Sequence, residues 1–534
     1  MFRFVGPYDE GLILTGSARV LSGEVPYRDF FENYAPAQFY VLAALFKLLG
    51  PSVLVERLWD LMVRASTVLV IYLIVDGAWS RGKAVSTAAL SCVWLSYFGF
   101  YGFPVFPCLL FSLLSLYCLL PIYQGSHAIA RLLASGICAG ITVLFRHDVG
   151  IACAVGGIFT LGLFHLTKRP RDPNKIRTPL LGVTIYTAGV GLALMPPLVL
   201  LYAAGSAHDI LVDLVLIPAR TYVRMVSLPF PSVVAIARET MQLKLQSLEQ
   251  LAVYLPVGAV PLGIMGALKF GKNYRYETHV DHRALTSQRL WTLVQLTILS
   301  LLFFFKGWVR VSPIHMALSI VPSIVIMIVW QIEAGSGAAK ILFRLGIAWL
   351  SFISLTPMQN VLIRFGENLV WAAGGRTLSN GVFGSARSEN GSCFPPAGLE
   401  RIRCLVISSD QPAAIRYIQE HTAENEGIFV GLNRHDKIFI NNVLFYFVSK
   451  RPPVTKWHLF IPGLQTTLEI QSEIINELQM RRPRYVVLTS KWDSVKEPNE
   501  SAHSSGVTVL DQYIRTNYRA VAEFGPISIL EIRW

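Results

Sequence analysis

The sequence is short of charge. Only 15% of its 534 residues are Asp, Glu, Lys or Arg, against about 25% in an average soluble domain. A soluble chain of this length needs several domains, each with a polar coat, and there is too little charge here to make them. That excludes an ordinary soluble enzyme. A cleavable signal peptide, low-complexity tracts and internal repeats are also lacking. The missing repeats count against the repeated halves on which many transporters are built. No glycine-rich phosphate-binding loop is present, and the seven cysteines show no zinc-like spacing.

What the chain does have is grease with a basic excess. Hydrophobic residues make up 53%, the mean hydropathy is +0.48, and 47 Lys and Arg face 34 Asp and Glu, a net charge of +13. That balance fits a membrane protein whose charges sit in loops, or a nucleic-acid binder with one basic face. Location decides between them. Residues 365–534 hold 18 basic and 17 acidic residues, so this tail is nearly neutral. The excess lies in the first 364 residues, with 29 basic against 17 acidic.

Apolar runs recur there, near 56–75, 84–103, 105–121, 132–145, 149–166, 180–204, 251–268, 290–305, 316–332 and 345–362. Runs such as Leu290–Phe305 are apolar nearly all round rather than striped, as expected of membrane spans. The segment Ala35–Gly50 is about 15 residues, which suits a helix on the membrane surface better than a crossing. The loops 76–83, 122–131, 167–178, 269–289 and 333–344 carry 15 Lys and Arg in 63 residues, with Lys168-Arg-Pro-Arg171 the densest signal. The alternate loops carry 11 in 114. The first set is expected to be cytoplasmic. Most of the basic excess is thus a topology mark, and the nucleic-acid reading falls away. The reading divides the chain into a first external loop (1–55), a transmembrane domain of about ten helices (56–364) and a periplasmic or lumenal α/β domain (365–534).

The non-cytoplasmic loops hold polar groups close to the membrane. They are Asp9-Glu10, Arg28-Asp29, Arg146-His147-Asp148, and Lys306 with Arg310 and His315; Glu56 and Arg57 head a span that continues through Asp60 and Arg64. Ionisable groups at such depth are costly, so they face a polar cavity or pair with one another. A carboxylate can accept a proton from an attacking hydroxyl. Arg and Lys can stabilise a departing phosphate. Each cluster also has a bland reading: an internal ion-pair network for Glu56, Asp60 and Arg64, helix capping for Arg146–Asp148, snorkelling to headgroups for Lys306 and Arg310, and dipole compensation for Asp9 and Glu10.

Asp9-Glu10, then Gly23-Glu-Val-Pro-Tyr-Arg-Asp29, Tyr34-Ala-Pro-Ala-Gln-Phe-Tyr40, Leu48-Leu-Gly50 and Arg57-Leu58 follow in order. This series resembles the GT-C membrane glycosyltransferases, nearest to glycosyltransferase family 39 and its bacterial relatives, the protein O-mannosyltransferases and lipid A aminoarabinose transferases. Residues 8–60 carry most of the likeness. It implies a polytopic α-helical membrane protein with a C-terminal soluble α/β domain, in a bacterial inner membrane. It also implies inverting transfer of a sugar from a polyprenyl-phosphate carrier to a lipid, glycan or protein acceptor outside the cytoplasm. Asp9 aligns with the family's catalytic base, with Glu10 beside it. Arg57 aligns with the arginine that helps hold the carrier phosphate, and Ala35–Gly50 with the surface helix. Lys306 and Arg310 are further candidates for the phosphate. Arg28, Asp29, Arg146, His147, Asp148 and His315 are candidates for orienting acceptor or carrier. No cofactor is required, and a divalent cation is compatible. Family members carry a membrane helix before the acidic motif, whereas eight residues precede Asp9 here: either the chain is truncated or its start lies upstream. A transporter or flippase, or a non-catalytic subunit of a glycosylation complex, would account for the spans as well.

In the tail, 404–408, 428–430, 444–448, 485–489 and 527–530 read as strands, and 413–420 and 466–480 as helices. Arg434-His435-Asp436 and Arg481-Arg482 read as solvated surface. Cys393 and Cys404 are the candidates for a disulfide in an oxidising compartment.

Overall fold

The computed structural model describes residues 4–124, 128–167, 178–242, 244–330, 337–372, 398–403 and 405–533. The Cys393–Cys404 pairing and the basic stretch 168–177 lie outside them.

Apolar runs without stripes become helices packed side by side. The first eight are α1 (Asp9–Leu21), α2 (Ala37–Leu49), α3 (Val53–Ala78), α4 (Arg81–Tyr97), α5 (Val105–Gln124), α6 (Ile129–Phe145), α7 (His147–Thr167) and α8 (Thr178–Ala203). An irregular helical segment, 207–225, and a short helix, Val233–Met241, lead to further long helices at Leu255–Tyr276, Val280–Gly307, Ala317–Trp330, Gly337–Ile353 and Leu355–Ala372. Among the described residues six helices are long and apolar enough to cross a membrane, or seven if the bent pair Arg344–Ile353 and Leu355–Glu367 is one span. The protein is an integral membrane protein.

Among the described residues the apolar runs fall in these helices with three departures. Run 251–268 begins in a 3-10 helix, Leu245–Tyr254, before entering Leu255–Tyr276. Run 84–103 leaves the helix after Tyr97, in a stretch carrying Gly99, Gly102 and Pro104. Run 345–362 breaks at Ser354, where Pro357 has no N–H to give to the Ile353 carbonyl. Helix α2 has 13 residues, roughly 20 Å, which is too short to cross the hydrocarbon.

The tail contains a four-stranded mixed sheet of β1 (Phe429–Leu432), β2 (Tyr485–Thr489), β3 (Tyr518–Phe524) and β4 (Ile527–Ile532) in the order β1-β2-β4-β3. The β1–β2 pair is parallel and the other two are antiparallel. Helices Gln411–His421, Leu468–Arg481 and Val509–Asn517 accompany it. Three readings of the sequence are corrected. Residues 405–408 form no strand, only an isolated bridge between Val406 and Phe4. Residues 444–448 lie in a helix, Leu444–Ser449, all six residues of which are buried. A short run buried on every side has no period by which to tell helix from strand. His435 is fully buried rather than solvated, with Nδ1 2.6 Å from Asp511 Oδ1 and Nε2 accepting from the Leu432 N–H. Arg434 stays half-exposed and pairs with Asp436.

The first loop and the tail share one hydrophobic core: Leu12, Ile13, Phe39 and Phe46 pack with Leu444, Phe447 and Phe460. The Val5 N–H donates to the Val406 carbonyl and the Leu444 N–H to the Pro7 carbonyl, while the Thr15 hydroxyl donates to the Val443 carbonyl at 3.0 Å. Gly11 makes the contact close. A Cβ there would lie 2.4 Å from the Leu444 nitrogen. Helix α1, which opens with the acidic motif, is therefore held between the membrane helices and the soluble domain.

Candidate active site

Asp9 and Glu10 are consecutive at the start of α1, so their side chains leave the axis about 100° apart. They end in different surroundings. Glu10 turns inward and is buried. Its Oε1 lies 2.7 Å from Arg57 Nε and its Oε2 accepts from Arg57 Nη2 at 3.0 Å. The Gly6 N–H also donates to it, and Arg57 gives a further bond to the Phe4 carbonyl. Along α3, Asp60 pairs with Arg64 at 2.8 Å. Arg64 also donates to the Leu95 and Gly99 carbonyls and lies over the Phe106 ring. Glu56 accepts from the Gly102 N–H. Of the ion-pair network that the spacing of Glu56, Asp60 and Arg64 suggested, the structure forms the Asp60–Arg64 pair, while Glu56 bonds to backbone instead. Arg57 pairs with Glu10 beside it, with a side chain only 1% exposed.

Asp9 turns the other way. It is open to solvent, yet protein surrounds it closely enough to push its carboxyl up to about 6, a shift that Arg310 partly offsets. A group that solvent reaches and protein encloses sits in a cleft. The phenols of Tyr8, Tyr34 and Tyr101 are raised by burial first and then by the Asp9 charge, which places all three around it. Tyr8 is anchored by donating to the Phe460 carbonyl. Tyr222, bonded to Asn33, is near Tyr8 and Tyr34.

Three cations border the same space. Arg146 sits in the sharp turn between α6 and α7, held by Asp148 through Nε at 3.0 Å and Nη2 at 2.7 Å, with its guanidinium 5.4 Å from the Tyr34 ring centroid. Lys306, at the end of helix Val280–Gly307, is close to Arg146 and Asp148; among the described residues it has no hydrogen-bond or ion-pair partner. Arg310 follows in the next loop and is paired by both terminal nitrogens with Glu497 of the tail. His315 is held well below the usual imidazole range by burial and by Lys306, Arg310 and Arg146, so it is neutral at physiological pH. Its Nδ1 is 2.7 Å from the Ser312 hydroxyl.

The structure thus brings Asp9, Arg146, Asp148, Lys306, Arg310 and His315 together. It places Glu10 and Arg57 in the sealed network behind them. Arg28 and Asp29 pair with each other, and Arg28 donates to the Ala204 carbonyl; their ionisable neighbours are Arg19 and Tyr40, none of the groups around Asp9. His147 bonds the Leu214 carbonyl. The sequence reading missed Tyr8, Tyr34, Tyr101 and Glu497. Tyr34 opened one of the motifs used for the resemblance and Tyr8 directly precedes another, which was a usable signal. Nothing local marked Glu497. Among the described residues no group of three or more His, Cys, Asp or Glu side chains could hold a metal ion.

No family model matches the sequence, and no curated protein matches it significantly. Solved structures do. ArnT from Cupriavidus metallidurans bound to undecaprenyl phosphate matches with a TM-score of 0.55 at 12% identity, over 99% of this chain and 94% of that one. The same protein in the apo state gives 0.46 at 11% identity, over 99% and 94%. The archaeal oligosaccharyltransferase AglB from Archaeoglobus fulgidus, with an inhibitory peptide and a dolichol-phosphate, gives 0.48 at 12% identity, over 99% and 70%. The first likeness shows the fold: membrane-spanning helices with a C-terminal mixed sheet, the GT-C fold of membrane glycosyltransferases.

Proposed function

We propose that the protein is an inverting glycosyltransferase that moves a sugar from a polyprenyl-phosphate carrier to an acceptor on the non-cytoplasmic face of a bacterial inner membrane. The observation that carries this reading is the open Asp9 carboxylate in a cleft bordered by Arg146, Lys306 and Arg310. The undecaprenyl phosphate bound to the Cupriavidus protein supports a lipid-linked donor.

In this mechanism the acceptor hydroxyl attacks the anomeric carbon opposite the phosphate. The new C–O bond forms as the bond to the phosphate oxygen breaks, and the proton passes to Asp9. A carboxyl titrating near 6 is mostly ionised at neutral pH and still basic enough to take that proton. Lys306, which has no hydrogen-bond or ion-pair partner among the described residues, and Arg146 and Arg310 offset the charge growing on the leaving phosphate. Arg57 takes a different role from the one the resemblance implied: it holds Glu10 and so fixes the first turn of α1, from which Asp9 projects.

The test is transfer by the purified chain in detergent, supplied with a lipid-linked sugar, for the parent and Asp9→Asn. Transfer by the parent alone separates an enzyme from a transporter or a non-catalytic subunit. Full turnover by Asp9→Asn overturns the assignment.

A further inference from the structure

The tail touches the proposed reaction centre through Glu497. This residue lies in the segment between β2 and helix Val509–Asn517. Its carboxylate accepts from Arg310 Nη1 at 2.8 Å and from Nη2 with the other oxygen. Three stretches of chain are tied together at this point. Arg310 also donates to the Val226 carbonyl at 2.9 Å. The Leu228 N–H donates to the Val309 carbonyl and the Val311 N–H to the Leu228 carbonyl. Asn499 bonds both the Ser227 carbonyl, at 2.9 Å, and Glu497 Oε2, at 3.0 Å. The Glu497 side chain is 14% exposed and that of Arg310 26%. Glu497 is also part of the wall of a cavity of about 540 Å³, with Arg224, Asn499, Glu500 and His503.

We propose that Glu497 is a positioning residue through which the C-terminal domain fixes the Arg310 guanidinium beside Asp9. The proposal deepens the glycosyltransferase reading and rests on it. A guanidinium gripped on both terminal nitrogens has one orientation, and its partner's negative charge cancels part of its field. Asp9 therefore meets a cation that is fixed in place and partly neutralised. The groups facing Asp9 are Tyr8, Tyr34, Tyr101 and Arg310. Those facing Arg310 are Asp9, His315 and Glu497, with Arg146 and Lys306 beyond His315. Glu10, the next residue along α1, is taken up by its buried pair with Arg57.

The experiment reads the ionisation of Asp9 without a substrate. The full chain in detergent is treated with a hydrophobic carbodiimide, which reacts with protonated carboxyls, and Asp9 modification is followed against pH by peptide mass spectrometry. Glu497→Gln removes a negative charge and leaves Arg310 uncompensated. The labelling midpoint is expected to fall by about one unit or less, with Glu497→Asp close to the parent. Arg310→Gln is expected to move it the opposite way. In transfer assays Glu497→Gln should raise the KM for the lipid-linked donor more than it lowers kcat, with the acid limb displaced to lower pH. Superimposable labelling curves for the parent and Glu497→Gln, at equal thermal stability, overturn the proposal. If Glu497→Gln does not fold, Asn499→Ala replaces it: Glu497 keeps its charge but loses a bond that orients it, so the labelling midpoint should stay near the parent's while the KM for the lipid-linked donor rises, and an unchanged KM overturns the proposal. A labelling shift in a chain that transfers no sugar would sink the glycosyltransferase reading and leave the positioning role standing.

Discussion

Two charged regions meet at the first turn of α1, and they are built on opposite terms. In the sealed one, Glu10, Arg57, Asp60 and Arg64 are almost fully buried and each has an opposite charge within 2.8 Å. In the open one, Asp9, Arg146, Lys306 and Arg310 all keep some exposure, and Lys306 has no partner among the described residues. Charges that are buried and mutually satisfied have nothing left to offer a substrate. Charges held at a cleft that solvent reaches do, even where, as for Arg146 and Arg310, a carboxylate orients them. Adjacency in sequence says little about surroundings here, since one helical step separates the buried, paired Glu10 from the open Asp9.

The comparison breaks first at Asp9. Asp9→Asn should lower transfer by about 10²–10⁴-fold, the range of a lost general base, with no loss of thermal stability. The sign of the stability effect follows from linkage. The Asp9 carboxyl titrates at about 6 in the fold and at about 3.9 in the unfolded chain. The folded state therefore binds the proton more tightly, and ionising Asp9 weakens the fold as pH rises from about 4 to about 6. Above pH 6 the neutral amide should melt no lower than the parent. A marked drop in melting temperature would move Asp9 into the structural class.

Arg57→Ala should show the reverse. It leaves the Glu10 carboxylate buried without its partner, at a cost of about 3–5 kcal/mol, visible as lost folded protein before activity is assayed. Replacing Glu10 and Arg57 together with Leu and Met should recover much of that loss, because the penalty belongs to the widowed charge rather than to the missing pair. A double variant as unstable as the single would mean that the pair holds the first turn of α1 in a way packing cannot replace.

Gly11→Ala tests the join between the regions and the tail. The added Cβ would meet backbone atoms of Leu444, which cannot step aside, so α1 must shift. Overpacking of this kind costs about 1–3 kcal/mol. Because Asp9 rides on the same turn, transfer should fall further than the loss of folded protein explains. Transfer in proportion to folded protein would show that the cleft tolerates movement of α1.

Much of this frame was legible in the sequence. The helical runs follow from composition alone, and the motif around Asp9 stood out because carboxylates are rare beside membrane spans. Three features were not legible, each for a physical reason. Residues 444–448 are apolar on every face, so strand and helix look alike. Strand β3 is mostly exposed and carries Arg519 and Glu523, so it lacks the apolar alternation of a half-buried strand. Glu497 meets Arg310 across 187 positions, and no local pattern records a contact made only by folding. Helix periodicity does not say which of Asp9 and Glu10 faces the cleft, because both open the same helix and the choice depends on where Arg57 arrives; only the resemblance singled out Asp9.

A milder pH effect and a near-silent control sharpen the contrast further. Transfer should rise through about pH 6 as Asp9 ionises and then level off. A limb near pH 4 would mean that the base is a carboxyl in ordinary water. Asp29→Asn is expected to do least. Asp29 lies in the same first loop as Asp9 and is as acidic in sequence terms. It is nevertheless satisfied by Arg28 and by the Val25 N–H, and its carboxyl is held low chiefly by the bond from Arg28. Exposed pairs between neighbours contribute little, and none of the groups around Asp9 touches it. Transfer and its pH profile should therefore stay within about twofold of the parent. A larger loss, with the fold intact, would show that the acceptor reaches from the cleft across to the Arg28–Asp29 turn, and the boundary of the open region would have to be redrawn to include it.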